Sequence, residues 1–134
     1  MPLPGMVTLR IYLVGDNMEM NGHLANRLER HAHIKIVATA RDEAGAMQWL
    51  AQRHNDADLV IVDIFLEAGS GLGLLRRSQR TPHGRQLVVL SNFVGGGLRH
   101  TCMALGAAQV FDKSTGIDSL VAYCQGLAAS TTVH

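Results

Sequence analysis

The sequence predicts a doubly wound α/β domain, with five parallel strands in the spatial order 2-1-3-4-5 and five flanking helices. Three observations carry this. Five short apolar runs recur at intervals of roughly 20 to 28 residues. Each run is nearly continuous rather than alternating, as a strand covered on both faces requires. The segments between them place apolar side chains at helical spacing. Such alternation closes by right-handed crossovers into one sheet, with chemistry at the carboxyl ends of its strands near the switch in strand order.

The runs are Leu9–Val14, Ile34–Thr39, Leu59–Val62, Leu87–Leu90 and Ala108–Phe111. Leu24, Leu28 and His31 mark the first helix. Ala46, Leu50 and Arg53, with Met47 and Trp49 beside them, mark the second. Leu72, Leu75 and Gln79 mark the third, Leu98, Cys102 and Leu105 the fourth, and Leu120, Tyr123, Cys124 and Leu127 the fifth. Asn17, Asp42, Ser70 and either Thr115 or Asp118 read as N-caps, their short polar side chains suited to accept from the first free backbone amides. Residues 1–7 form an N-terminal extension, 8–128 the domain, and 129–134, which have no periodicity, a flexible tail.

A chain of 134 residues holds one domain with a core large enough to dispense with disulfides or a structural metal. Hydrophobic residues at 47% and charged residues at 17% exclude a disordered chain. A net charge of +1 gives no footprint for direct nucleic-acid binding, which needs several cations on one face. Cys102 and Cys124 fall on expected helices and are expected to be reduced thiols. The start lacks the pattern of a secretory leader, and no apolar stretch is long enough to span a membrane. The expectation is a cytoplasmic protein.

The strand ends carry the chemistry. The first ends in Val14-Gly15-Asp16-Asn17, the third in Val62-Asp63-Ile64-Phe65, the fourth in Leu90-Ser91-Asn92 and the fifth in Phe111-Asp112-Lys113-Ser114. In the expected strand order Asp16, Asp63, Ser91 and Lys113 converge on one rim. Two adjacent carboxylates repel unless a cation lies between them, and an all-oxygen donor set favours Mg²⁺ over Zn²⁺. Beside such an ion a carboxylate can attack a phosphoryl group in line. Lys113 and Ser91 are then available to bind the phosphoryl oxygens.

Over about residues 8 to 128 the sequence resembles the receiver domain of two-component response regulators, whose sheet is flavodoxin-like. The most specific stretch is Asp58-Leu59-Val60-Ile61-Val62-Asp63-Ile64-Phe65-Leu66-Glu67-Ala68-Gly69-Ser70-Gly71-Leu72, which is similar to the family's third strand, acceptor Asp and glycine-containing loop. The resemblance implies Asp63 as phospho-acceptor, Ser91 as the Ser/Thr switch residue and Lys113 as the conserved-type lysine. It implies Asp16, Asp63 and the backbone carbonyl of Phe65 as ligands of Mg²⁺. It also implies a sensor histidine kinase or phosphotransfer protein as donor, and a downstream protein target met through the face of the fourth helix, fifth strand and fifth helix. The resemblance leaves self-association into a homodimer open. Such a protein is a phosphoryl acceptor rather than an enzyme, at most catalysing its own phosphotransfer and dephosphorylation.

Three residues depart from the family pattern. Gly15 stands where a first acidic residue is usual, which implies weaker metal binding. Glu67 stands where many members have Pro, and Val110 where many have an aromatic ring that swings inward on phosphorylation. Gly15 and Val110 favour the alternative reading, a degenerate pseudo-receiver acting as a phosphorylation-independent interaction module. Gly69-Ser70-Gly71-Leu72-Gly73 lacks the Gly-Lys-Ser/Thr ending of a phosphate-binding loop and is read as structural. Gly95-Gly96-Gly97 is read as a flexible start to the fourth helix. Of seven histidines only His31 and His33 are near neighbours, and neither these nor the methionines form a site.

Overall fold

The computed structural model describes residues 8–52, 57–64, 69–78, 85–92 and 97–131. Its elements alternate strictly: β1 (Leu9–Val14), α1 (Met18–Glu29), β2 (Ile34–Ala40), α2 (Glu43–Ala51), β3 (Leu59–Asp63), α3 (Gly71–Ser78), β4 (Gln86–Ser91), α4 (Leu98–Ala104), β5 (Ala107–Asp112) and α5 (Ile117–Thr131). The strands form one sheet in the order β2-β1-β3-β4-β5, every pairing parallel. This is the fold the apolar runs predict.

The central strands are buried because both faces are covered, and alternate residues go to opposite sides. Leu9, Ile11 and Leu13 of β1 pack with Leu59 and Ile61 of β3 against Leu24 and Leu28 of α1 and Leu120 and Cys124 of α5. Tyr12, Val14, Val60 and Val62 pack on the other face with Ala46 and Leu50 of α2 and Leu74 of α3. There the Trp49 ring stacks on Tyr12, with centroids 4.1 Å apart. Beside them Val89 and Val110 pack with Leu75 and Cys102, which places α4 on the same face. Cys102 and Cys124 are both free thiols inside these layers, where desolvation pushes the Cys124 thiol up to about 12.

The capping residues act as expected at three helices. Asn17 accepts from the Met20 amide at 2.9 Å, Asp42 from the Gly45 amide at 2.7 Å, and Ser70 Oγ from the Gly73 amide at 2.9 Å. At α5 the expected caps do something else. Asp118 lies inside the helix and its Oδ1 accepts from Arg27 Nη2 at 2.6 Å, joining α5 to α1. Helical spacing also overruns two helix ends. His31 falls beyond α1, and Leu105 beyond α4, where Gly106 takes a φ of +104° that a side chain would disfavour. Arg53 and Gln79 lie outside the described residues. α5 runs on to Thr131, so residues 129–131 of the expected tail are helical, following the fully buried Ala128.

At the amino edge of the sheet β1 and β3 are joined by one residue pair. Asp58 Oδ2 accepts from the Arg10 amide at 2.9 Å, Asp58 Oδ1 accepts from Arg10 Nη2 at 3.2 Å, and the Asp58 amide donates to the Arg10 carbonyl at 2.8 Å. This contact sets strand register rather than adding much stability, because both side chains stay partly in water.

Candidate functional site at the carboxyl edge of the sheet

β3, β4 and β5 each extend one polar residue beyond their apolar cores, and this decides the burial of the site. Asp63 is the last residue of β3 and Ser91 the last of β4, so both belong to the hydrogen-bonded ladder rather than to loops. Asp63 is 5% exposed and Ser91 fully buried. Parallel pairing sets Asp63 beside Leu90 and Ser91 beside Asp112. Lys113, one residue past β5, donates its amide to the Ser91 carbonyl at 2.9 Å and turns its Nζ onto Asp63 Oδ2 in an ion pair. Burying a carboxylate carries a desolvation cost that such a partner offsets. Three of the expected residues, Asp63, Ser91 and Lys113, are thus brought together.

Asp16 follows β1, which pairs with β3, and is half-buried. Its neighbour Gly15 packs against the acceptor position, since a side-chain carbon built on it would lie 3.5 Å from Asp63 Cβ. Asp16 is the next residue in the chain, at the same edge of the sheet as Asp63. Phe65, the expected carbonyl ligand, lies outside the described residues, as does Glu67. Among the described residues no group of three or more His, Cys, Asp and Glu is placed to hold a metal ion. A donor set of two carboxylates with a lysine alongside carries a net charge of −1. That fits a hydrated divalent cation such as Mg²⁺, which keeps several waters and takes one or two carboxylates.

The loops around Asp63 are held by contacts that periodicity does not reveal. Gly71 donates its amide to the Ile64 carbonyl at 2.9 Å, and a side-chain carbon on it would collide with the Asp63 carbonyl and come within 2.8 Å of Ile64 Cα. Only glycine lets α3 begin so close to the strand that carries the acid. Glu43 of α2 reaches across to accept from the Ser70 amide at 3.0 Å and from Arg77 Nη1 at 3.1 Å. The Ser70 hydrogen bond first, and Arg77 second, hold its carboxyl below the usual range. A side-chain carbon on Gly73 would lie 2.5 Å from Glu43 Oε1, so the glycine-rich stretch makes room for packing and not for a nucleotide.

Lys113 is aimed by its own turn. Asp112 Oδ1 accepts from Ser114 Oγ at 2.6 Å, from the Ser114 amide at 2.7 Å and from the Thr115 amide at 3.1 Å. The Ser114 hydrogen bonds hold the Asp112 carboxyl below the ordinary range. This acid folds the turn and is spent there. An acid with Ser and Thr two and three residues on, at a strand end, was the available sign of it.

Val110 is 2% exposed and packs under α4 against Cys102, so no ring can alternate between buried and exposed positions there. The aromatic neighbour, Phe111, faces the opposite layer edge-on to Tyr123, whose hydroxyl donates to Gln86 Oε1 at 2.6 Å. Gly97 precedes α4 without a side-chain cap, while Gly95 and Gly96 lie outside the described residues. His100 is exposed, and His31 Nδ1 accepts from the His33 amide at 3.2 Å.

Comparison with known proteins agrees with this geometry. Residues 11–125 match the family model for the response regulator receiver domain. The protein-glutamate methylesterase/protein-glutamine glutaminase 1 of Paramagnetospirillum magneticum is 28% identical over 121 residues, 89% of this chain and 31% of that protein. The corresponding protein 2 of Nitratidesulfovibrio vulgaris is 32% identical over 114 residues, 84% of this chain and 30% of that protein. The chain thus spans about three-tenths of the length of these curated relatives. Among solved structures, the signal receiver domain of NarL from Mycobacterium tuberculosis superposes with a TM-score of 0.81 at 15% identity, covering 92% of this chain and 98% of that one. The response regulator domain of Thermotoga maritima CheB gives 0.77 at 16% identity, covering 93% and 96%. The chain belongs to the response regulator receiver domain family.

Proposed function

We propose that residues 8–128 are a phospho-accepting receiver of a two-component His–Asp phosphorelay, and that Asp63 is the acceptor. The observation that supports this most is the nearly dry Asp63 carboxylate, ion-paired to Lys113 at the end of the central strand and flanked by Ser91. An Asp63 carboxylate oxygen attacks the phosphorus of a phospho-His on a sensor kinase or phosphotransfer protein. The P–N bond breaks, an O–P acyl phosphate bond forms, and the imidazole leaves with its electron pair. Lys113 shifts from the carboxylate to a phosphoryl oxygen by a charge-assisted bond, and Ser91 Oγ donates to another. Receiver domains generally bind Mg²⁺ at this site, and Asp16, Asp63 and the Phe65 carbonyl would hold it here. When bound, such an ion would offset the charge of the incoming group.

Phosphorylation adds about −1.5 to −2 charges at Asp63. Because the Ser91 carbonyl and the Lys113 amide are bonded to each other, the two residues move together. The change passes to α4, β5 and α5, the face we assign to a downstream protein, without a ring flip at Val110. No helix among the described residues is long and apolar enough to cross a membrane. We assign the protein to the cytoplasm, where its donors act. We assign no esterase or glutaminase activity to this domain, since the relatives so named extend well beyond the match.

Gly15 and the buried Val110 support a second reading, a pseudo-receiver that binds partners without phosphorylation. One experiment separates the two. The intact mass of the protein is measured after incubation with phosphoramidate and Mg²⁺, in parallel with Asp63→Asn. A phosphoryl adduct that hydroxylamine removes, present in the wild type and lost in the variant, is the expected result. An adduct retained by Asp63→Asn overturns the acceptor assignment, and no adduct in either protein favours the pseudo-receiver.

A further inference from the structure

The absence of a side chain at Gly15 does not leave a gap. Asn21, one turn into α1, folds its carboxamide back over the end of β1, and its Nδ2 donates to the Gly15 carbonyl at 2.9 Å. A side-chain carbon built on Gly15 would come within 2.9 Å of Asn21 Oδ1, 3.5 Å of Asp63 Cβ and 3.6 Å of Asn21 Cγ. The volume that a side chain at position 15 would fill, between the end of β1 and Asp63, is bounded by the Asn21 carboxamide. Gly15 is itself fixed, its amide donating to the Ala40 carbonyl at 2.9 Å.

We propose that Asn21 supplies from α1 the polar oxygen that position 15 lacks, and acts as a positioning residue for the hydrated cation at Asp16 and Asp63. The proposal rests on that pair being the cation site. The carboxamide has two functions that separate by atom. Nδ2 ties α1 to the strand end, and Oδ1 accepts from water in the cation's shell. Being neutral, it adds an acceptor without a third negative charge beside Asp63. A carboxylate at that point would repel the two acids while the site is empty and bind the cation more tightly when it is filled. The chain therefore holds a lightly charged site, one that is quiet without the cation and released easily afterwards.

The test uses the full chain. Melting temperature is read without and with Mg²⁺, and Mg²⁺ affinity by calorimetry, for the wild type, Asn21→Ala, Asn21→Asp and Asp16→Asn. Asn21→Asp is expected to melt lower without Mg²⁺, to gain more from Mg²⁺ than the wild type, and to bind it about tenfold more tightly, as ligand charge sets affinity. Asn21→Ala should bind about threefold more weakly, having lost one outer acceptor. A role confined to holding the Gly15 carbonyl predicts that both Asn21 variants melt lower by amounts independent of Mg²⁺, and that result overturns the proposal. Asp16→Asn distinguishes the layers of the argument. If it loses Mg²⁺ binding while both Asn21 variants bind as the wild type does, the Asn21 inference fails and the site assignment stands. If Asp16→Asn binds Mg²⁺ unchanged, the site assignment fails and the inference with it.

Discussion

The two edges of the sheet each carry an aspartate on β3 or at its start, paired with a base from another strand, yet the pairs are built differently. At the amino edge Arg10 and Asp58 share a forked contact reinforced by backbone bonds in both directions, with side chains 41% and 34% exposed. At the carboxyl edge Lys113 and Asp63 meet through one ammonium and one carboxylate oxygen, at 15% and 6% exposure. Arginine's planar fork fixes geometry, whereas lysine is a point charge on a flexible stem that can follow a moving anion. The wet pair is bound to the backbone and has little to rearrange. The dry pair carries a desolvation cost and is the one that a new charge can reorganise.

The largest effect expected from breaking this contrast is at Lys113. Lys113→Ala leaves the Asp63 carboxylate buried and uncompensated and should cost about 3 kcal/mol in urea unfolding. Asp63→Leu combined with Lys113→Met should recover most of that loss, since no charge then remains to be desolvated.

An acid limb comes next. Glu43 and Asp112 hold the loops of the carboxyl edge, and both have carboxyls below their ordinary values of 4.5 and 3.8. Their stabilisation is complete above those unfolded-state values and is lost as pH falls through the lower folded-state ones. Stability followed by urea midpoint from pH 6 down to pH 3 should therefore decline, and Glu43→Gln should flatten the decline. An identical acid limb in that variant would remove Glu43 from the account.

Smaller effects belong to the wet pair. Arg10→Ala should cost no more than about 1 kcal/mol, because the Arg10 amide still donates to Asp58. Smallest of all is salt. In double-mutant cycles at low and high NaCl, the Arg10–Asp58 coupling should fall by a few tenths of a kcal/mol, while that of Asp63 with Lys113 holds, being less open to counterions.

The same division governs what could be read from residues alone. Apolar runs match the strands to within a residue at every end, and the polar residues just past the third, fourth and fifth runs include Asp63, Ser91 and Lys113, which the fold brings to one edge. Those signals are local, because a strand's burial and its termination are both written in consecutive residues. Glu43 and Asn21 were out of reach. Each acts by meeting backbone on another element, Ser70 in one case and Gly15 in the other, and no spacing rule encodes a side chain crossing between elements. Helix ends were overrun at His31 and Leu105 because periodicity tracks the buried face and is blind to a left-handed residue such as Gly106. Asp118 was a plausible cap by type, but its use was decided by Arg27 on a helix far away in sequence.

The placement of Lys113 just past the last strand has a consequence for biosynthesis. Asp63 is made early and β3 can pair with β1 as soon as both exist, but the lysine emerges only with the end of β5, which closes the outer side of the sheet. A nascent or truncated chain ending before residue 113 would hold the acid without its counter-charge. Completion of the Asp63–Lys113 pair then coincides with completion of the sheet, so the buried acid gains its counter-charge only once the whole domain is in place.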